Sequence, residues 1–142
     1  MANVIPFAFR GELFSGTHNF SSGCNAFKIA LYTANPYTTS STVYSTSQEV
    51  SSAGGSNYTA GGESLGSQAV ASSTAVASVD FADATWSSAT FTAAYAAIYN
   101  DTNSDKLCVV LDFGGNKTAT NGTFKITFPD PATPANAIIS MA

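Results

Sequence analysis

Charge is scarce in this chain. Asp, Glu, Lys and Arg make up 10% of its 142 residues, against about 25% in an ordinary soluble domain. The five cations, Arg10, Lys28, Lys106, Lys117 and Lys125, are scattered. Binding that tracks phosphates needs them clustered, so no nucleic-acid partner is expected. Histidine occurs once, as His18 in GTHNF. It has no Cys or His neighbour at ligand spacing, so neither a metal nor another cofactor is expected. A serine or cysteine nucleophile would have this single imidazole as its base. In a polar turn it reads as a solvated side chain, and an enzyme is not expected. Long apolar runs are missing too. The longest is 93–99, far short of the roughly 20 residues of a membrane helix. The opening MANVIPFAFRGELF has no basic stretch ahead of its apolar residues, so no signal peptide and no membrane partner are expected, and synthesis in a cytosol is.

Cysteine is nearly absent. Cys24 and Cys108 are far apart, and two cysteines do not establish a disulfide without geometry. Cys108, in LCVVLDF, reads as a small buried hydrophobe. Triplets of the form Asn-x-Ser/Thr begin at Asn19, Asn57, Asn100, Asn116 and Asn121. An Asn- and Thr-rich composition accounts for them. Asp80, Asp83, Asp101 and Asp105 could be read as a calcium site or a glycosidase pair. Strand ends and turns explain them more simply, through carboxylates that accept backbone hydrogen bonds.

What is present is 44% hydrophobic residues, 12% aromatics and abundant Ser, Thr and Asn. That length and apolar content can build one domain with its own core. Residues 26–33, AFKIALYT, alternate, with Phe27, Ile29 and Leu31 on one face and Lys28, Ala30 and Tyr32 on the other, the pattern of a strand. Residues 75–81 place Ala75, Ala77, Val79 and Phe81 on one side. Residues 106–113 are apolar on both faces and read as a central strand ended by Gly114 and Gly115. Asn121-Gly122 signals a tight hairpin, leading to a strand with Phe124, Ile126 and Phe128 facing in. Pro129, Pro131 and Pro134 break the pattern, and 137–141 make a last strand. The stretch DATWSSATFTAAYAAIYND, 83–101, spaces Phe91, Tyr95 and Tyr99 by four. That suits a helix or one face of a strand, since four is a multiple of two. Its β-favouring residues and flanking strands favour a strand, with Trp86 as a core anchor. Stacking of Trp86, Tyr95 and Tyr99 on sugars or bases is the functional alternative.

Short strands and frequent turn residues predict an all-β fold, a single-domain antiparallel β-sandwich of jelly-roll or immunoglobulin type. Residues 1–25 read as an N-terminal arm with one short helix near PFAFRGEL. Residues 26–142 form the sandwich domain. Within it, 34–68 is a polar excursion with five of the eleven glycines and short strand pieces near Val43-Tyr44 and Glu49-Val50. The expected core is Phe27, Ile29, Leu31, Phe81, Trp86, Phe91, Tyr95, Tyr99, Val109, Leu111, Phe124, Ile126 and Phe128. Candidate partner contacts are Val4, Ile5, Phe7, Phe9, Leu13 and Phe14 in the arm, with Tyr37 and Tyr44 in the excursion.

The segments KIALYT (28–33), STSQEVSSAGGSNYTAGGESL (45–65), VDFADATWSSATFTAAYAAIYND (79–101) and VVLDFGGNKTATNGTFKITFP (109–129) together resemble a family of tailed-bacteriophage virion proteins. The chain departs from the family pattern at QEV with the longer SSAGGSNY, and at Ala94 where many members carry Arg. The resemblance implies a structural part of the virion, on the head surface or in the tail. The leading expectation is a capsid decoration (cement) protein, a homotrimer that binds the major capsid protein. A tail or adsorption-apparatus subunit and a carbohydrate-binding module are the alternatives.

Overall fold

The structure is a computed structural model, and it describes residues 3–73, 75–129 and 137–141. The chain runs α1 (Phe7–Phe14), β1 (Phe27–Tyr32), β2 (Glu63–Leu65), β3 (Ala69–Ser72), β4 (Ala77–Asp80), β5 (Ala84–Asn100), β6 (Lys106–Ile126) and β7 (Ile139–Met141). The strands make two antiparallel sheets, ordered β2-β1-β5-β6 and β3-β4-β7. The fold is therefore all-β with one short helix, as the sequence predicts. Its strand order differs from the immunoglobulin arrangement of ABED over CFG and from an eight-stranded jelly roll.

Two apolar clusters lie on opposite faces of the four-stranded sheet. Phe27, Ile29 and Leu31 join the main core, with Val79 and Ile139 of the second sheet. Ala30 and Tyr32 face the other way, into a smaller cluster with Tyr37, Tyr99, Leu107 and Val110. The alternation read in β1 is thus realised on both faces. Trp86, Phe81, Val109, Leu111, Phe124 and Phe128 are buried in the main core. Ile126 is half-buried and packs against that core.

The stretch 83–101 is one 17-residue strand, not a helix. It forms a long hairpin with the 21-residue β6. Three sequence expectations change here. Asn121-Gly122 makes no hairpin turn, Gly114-Gly115 ends no strand, and Phe91 does not share a face with Tyr95 and Tyr99. The cause is a series of register shifts. Between Ala93↔Lys117 and Tyr95↔Asp112, a step of two on β5 faces a step of five on β6. Gly114 and Gly115, at φ 73° and 140°, absorb that excess. Asn121, at φ 48°, sits at another shift, between Ala89 and Phe91. Side-chain alternation slips accordingly. Phe91 joins Trp86 and Phe124, whereas Tyr99 and the half-buried Tyr95 belong to the tyrosine-rich side.

β6 is the last strand of its sheet rather than a central one. Isolated bridges from Val4 to Val110 and from Val43 to Lys106 cover its outer edge, which otherwise would offer a row of unpaired backbone groups. α1 has no side-chain N-cap and little intrinsic preference, given Gly11 and three Phe. Tertiary contacts hold it. Phe9 is 1% exposed, worth about 2–3 kcal/mol of burial. Phe9 and Phe20 thus tie this N-terminal segment into the domain's own core.

Candidate interaction surface

Chemistry begins with the polar side chains that sequence left unassigned. His18 is buried, not solvated. Its Nε2 lies 2.8 Å from Glu12 Oε2, its Nδ1 is 3.1 Å from Asn100 Nδ2, and Cys108 Sγ is 3.7 Å from the same nitrogen. Lys106 Nζ donates to the other Glu12 oxygen at 2.7 Å. A thiol, an imidazole and a carboxylate in this order resemble a nucleophile with its base and orienting group. The thiol defeats that reading. Cys108 is fully buried, and burial, reinforced by the Glu12 charge, pushes its pKa well up, so no accessible thiolate exists at neutral pH. The cluster is a clamp between α1 and β6. Burial pulls the Glu12 carboxyl upward, but hydrogen bonds and charge from Lys106 and His18 prevail and hold it below the ordinary value.

A second cluster pins the polar excursion. Glu49 accepts hydrogen bonds from Tyr44 Oη at 2.6 Å, Tyr58 Oη at 2.7 Å and the Gly61 backbone N–H at 2.7 Å. Tyr58 Oη in turn accepts from the Leu31 N–H at 3.0 Å. Tyr32 and Tyr37 share a 2.6 Å bond, and Tyr99 donates to the Gly61 carbonyl. Burial raises the pKa of Tyr32, Tyr37, Tyr44, Tyr58 and Tyr99. These phenols stay protonated and serve as hydrogen-bond joints. The Val43 and Glu49 bridges fall where the short strand pieces are expected. Gly62 seals the excursion at φ +78°, where an added Cβ would stand 1.9 Å from the Ile29 carbonyl oxygen.

The candidate contacts divide by exposure. Phe9 and Tyr37 are buried, at 1% and 5%, and are corrected from partner contacts to core residues: one anchors α1, the other the excursion. Val4, Ile5, Leu13 and Tyr44 are half-buried against the two clusters. Phe7 and Phe14 stand out at 62% and 93% exposed. They lie seven residues apart, on one face of α1, with Arg10 over the Phe7 ring. Sequence reasoning missed Val43, Val70 and Met141, the other large exposed apolar side chains among the described residues.

The carboxylates pair locally. Asp83 binds Lys125 at 2.9 Å and accepts from the Phe128 N–H at 3.0 Å; Asp101 binds Lys28 at 3.1 Å. Among the described residues no group of three or more His, Cys, Asp or Glu could hold a metal ion. No helix among them is long and apolar enough to cross a membrane. Trp86 is 2% exposed and Tyr99 is equally buried, so neither offers a ring face to a sugar. No protein-family model, curated protein or solved structure matches the chain.

Proposed function

We propose that the chain is a structural component of a tailed-phage virion, a capsid decoration protein on the outer head shell. It would be made in the host cytoplasm, assemble with copies of itself as a homotrimer, and bridge neighbouring major capsid proteins by non-covalent contacts. The motif resemblance in 28–33, 45–65, 79–101 and 109–129 supports the virion assignment. The observation that carries an associative role is the presentation of Phe7 and Phe14 in solvent on a helix clamped to the sheet through Glu12, His18 and Lys106. Rigid apolar side chains in that position give binding area at low ordering cost. The polar network is spent on holding the surface still.

A tail or adsorption-apparatus subunit is the second reading, since the same surface suits ring contacts. Cryo-electron microscopy of the intact particle tests both. Density for this chain on the head lattice is expected; density confined to the tail would sink the decoration role. Adding the purified protein to shells that lack it should raise their thermal stability, because a ligand of the assembled state stabilises it by mass action.

A further inference from the structure

The turn after α1 and the three-stranded sheet enclose an open cleft of about 270 Å³, walled by Leu13, Val70, Val79, Ile139 and Met141. Ser78 also lines it, and its buried hydroxyl has no hydrogen-bond partner among the described residues. His18 lines the cleft as well, its Nε2 bonded to Glu12 of α1; the segments that build the cleft otherwise hold no charged side chain. Residues 13–27, 64–79 and 137–141 contain no Asp, Glu, Lys or Arg, in a chain whose net charge is −4. With few charges about it, the cleft opposes the approach of a second copy little. Two of the exposed large apolar residues, Val70 and Met141, wall the cleft, and a third, Phe14, directly follows Leu13 in sequence.

The edge beside the cleft points the same way. β3 is an outer strand, AVAS, with neither charge nor proline. Edge strands are ordinarily blunted by one or the other, or covered. The β6 edge of this molecule is covered by Val4 and Val43, whereas among the described residues β3 pairs with β4 alone.

We propose that a second copy of this chain docks here, placing its Phe14 ring in the cleft. An apolar cavity of about 150 Å³ takes up benzene, so this one has room for a phenyl group. Phe14 is 93% exposed and is not a wall of its own cleft. The knob, Phe14, and a wall of the hole, Leu13, are neighbours at the end of α1, so one molecule presents both parts of the contact. A two-fold pair seats both rings at once, and a ring of three seats them in turn. This inference rests on the self-association in the proposed function and names its contact; its test needs no virion, so the two can fail separately.

Sedimentation of the full chain over rising concentration tests it. The wild type is expected to associate. Phe14→Ser and Val70→Lys alter exposed side chains, so folding is retained, and each is expected to weaken association about tenfold or more. Val43→Ser, at a covered edge elsewhere, is expected to leave it unchanged. Amide exchange in 69–72 should slow as the wild type associates, a readout that needs no variant. A wild type that stays monomeric throughout, or association that survives both Phe14→Ser and Val70→Lys, overturns the proposal.

Discussion

Replacing Glu49 by Ala removes the acceptor on which the polar excursion closes. Three donors converge on that carboxylate, from Tyr44, Tyr58 and Gly61. Hydrogen bonds to a charged group contribute about 1.5–3 kcal/mol each, but they share one carboxylate and do not add. Tyr44 is half-exposed and can turn to water. Tyr58 is buried at 3% exposure, so its hydroxyl loses its acceptor outright. Each donor stranded in this way costs about 1–3 kcal/mol. The Gly61 N–H is half-buried and can also reach water, so Glu49→Ala should cost about 1–3 kcal/mol, the penalty at Tyr58. Glu49→Gln keeps one carbonyl oxygen for Tyr58 and Gly61, and its amide can donate to Tyr44 Oη, so about 1 kcal/mol is expected. Urea unfolding followed through Trp86, whose ring lies 6.3 Å from that of Tyr58, measures both. Protease sensitivity within 34–60 should rise in the Ala variant. A Glu49→Ala loss below about 0.5 kcal/mol, the scale of an ordinary surface change, would refute the pinning argument. So would a Gln variant as unstable as the Ala variant, since the acceptor would then not be the cause.

Gly62→Ala should cost about 3 kcal/mol or more, because its Cβ meets the Ile29 backbone oxygen on top of the roughly 1–2 kcal/mol of a left-handed conformation; Gly55→Ala, at φ +73° in open space, should show only the latter in thermal melts. A thiol reagent should titrate Cys24 in the native protein and reach Cys108 only on unfolding, since one is exposed and the other buried; two fast-reacting native thiols would contradict the packing around His18. Toward alkali, the raised tyrosines are still protonated when unfolded phenols ionise near pH 10. Their stabilisation is complete below about pH 10 and is lost as pH rises above it, which urea midpoints would follow. Glu12 gives the acid counterpart. Its lowered pKa contributes stability above the unfolded value of about 4.3 that is lost as pH falls through the folded value. Glu12→Gln should flatten that limb.

β1 was legible because each of its faces is buried by a different cluster, so period-two alternation survives intact in the sequence. β5 and β6 were half legible. Composition identified them as strands, and Trp86 as a core residue, but local turn signals were outvoted. Asn121-Gly122 and Gly114-Gly115 ordinarily close hairpins because they accept positive φ. Here that same tolerance lets β6 bulge and stay paired with β5. A spacing of four cannot report a bulge, and that is why Phe91 and Tyr95 were assigned to one face and lie on two. His18 was illegible for another reason. Its partners Asn100 and Cys108 lie 82 and 90 residues away, and nothing in GTHNF distinguishes a solvated imidazole from a clamped one.

The distribution of polar groups bears on function more than any single residue does. In a charge-poor chain, hydroxyls and amides must satisfy the backbone, and here they do so inside the excursion and around His18. Around His18 that chemistry clamps the helix that holds Phe7 and Phe14 in solvent; Val70 and Met141 stand in solvent too. Exchanging these side chains for polar ones would leave the core untouched, since none belongs to either buried cluster. A molecule that worked alone would gain solubility from the exchange and lose no folding energy. Exposed apolar side chains grouped along one helix face and around one cleft are what an association surface requires. The quadruple variant Phe7→Ser, Phe14→Ser, Val70→Thr, Met141→Gln should therefore melt within a few degrees of the wild type and yet fail to assemble. If it instead unfolds, these side chains serve the fold and the surface reading falls.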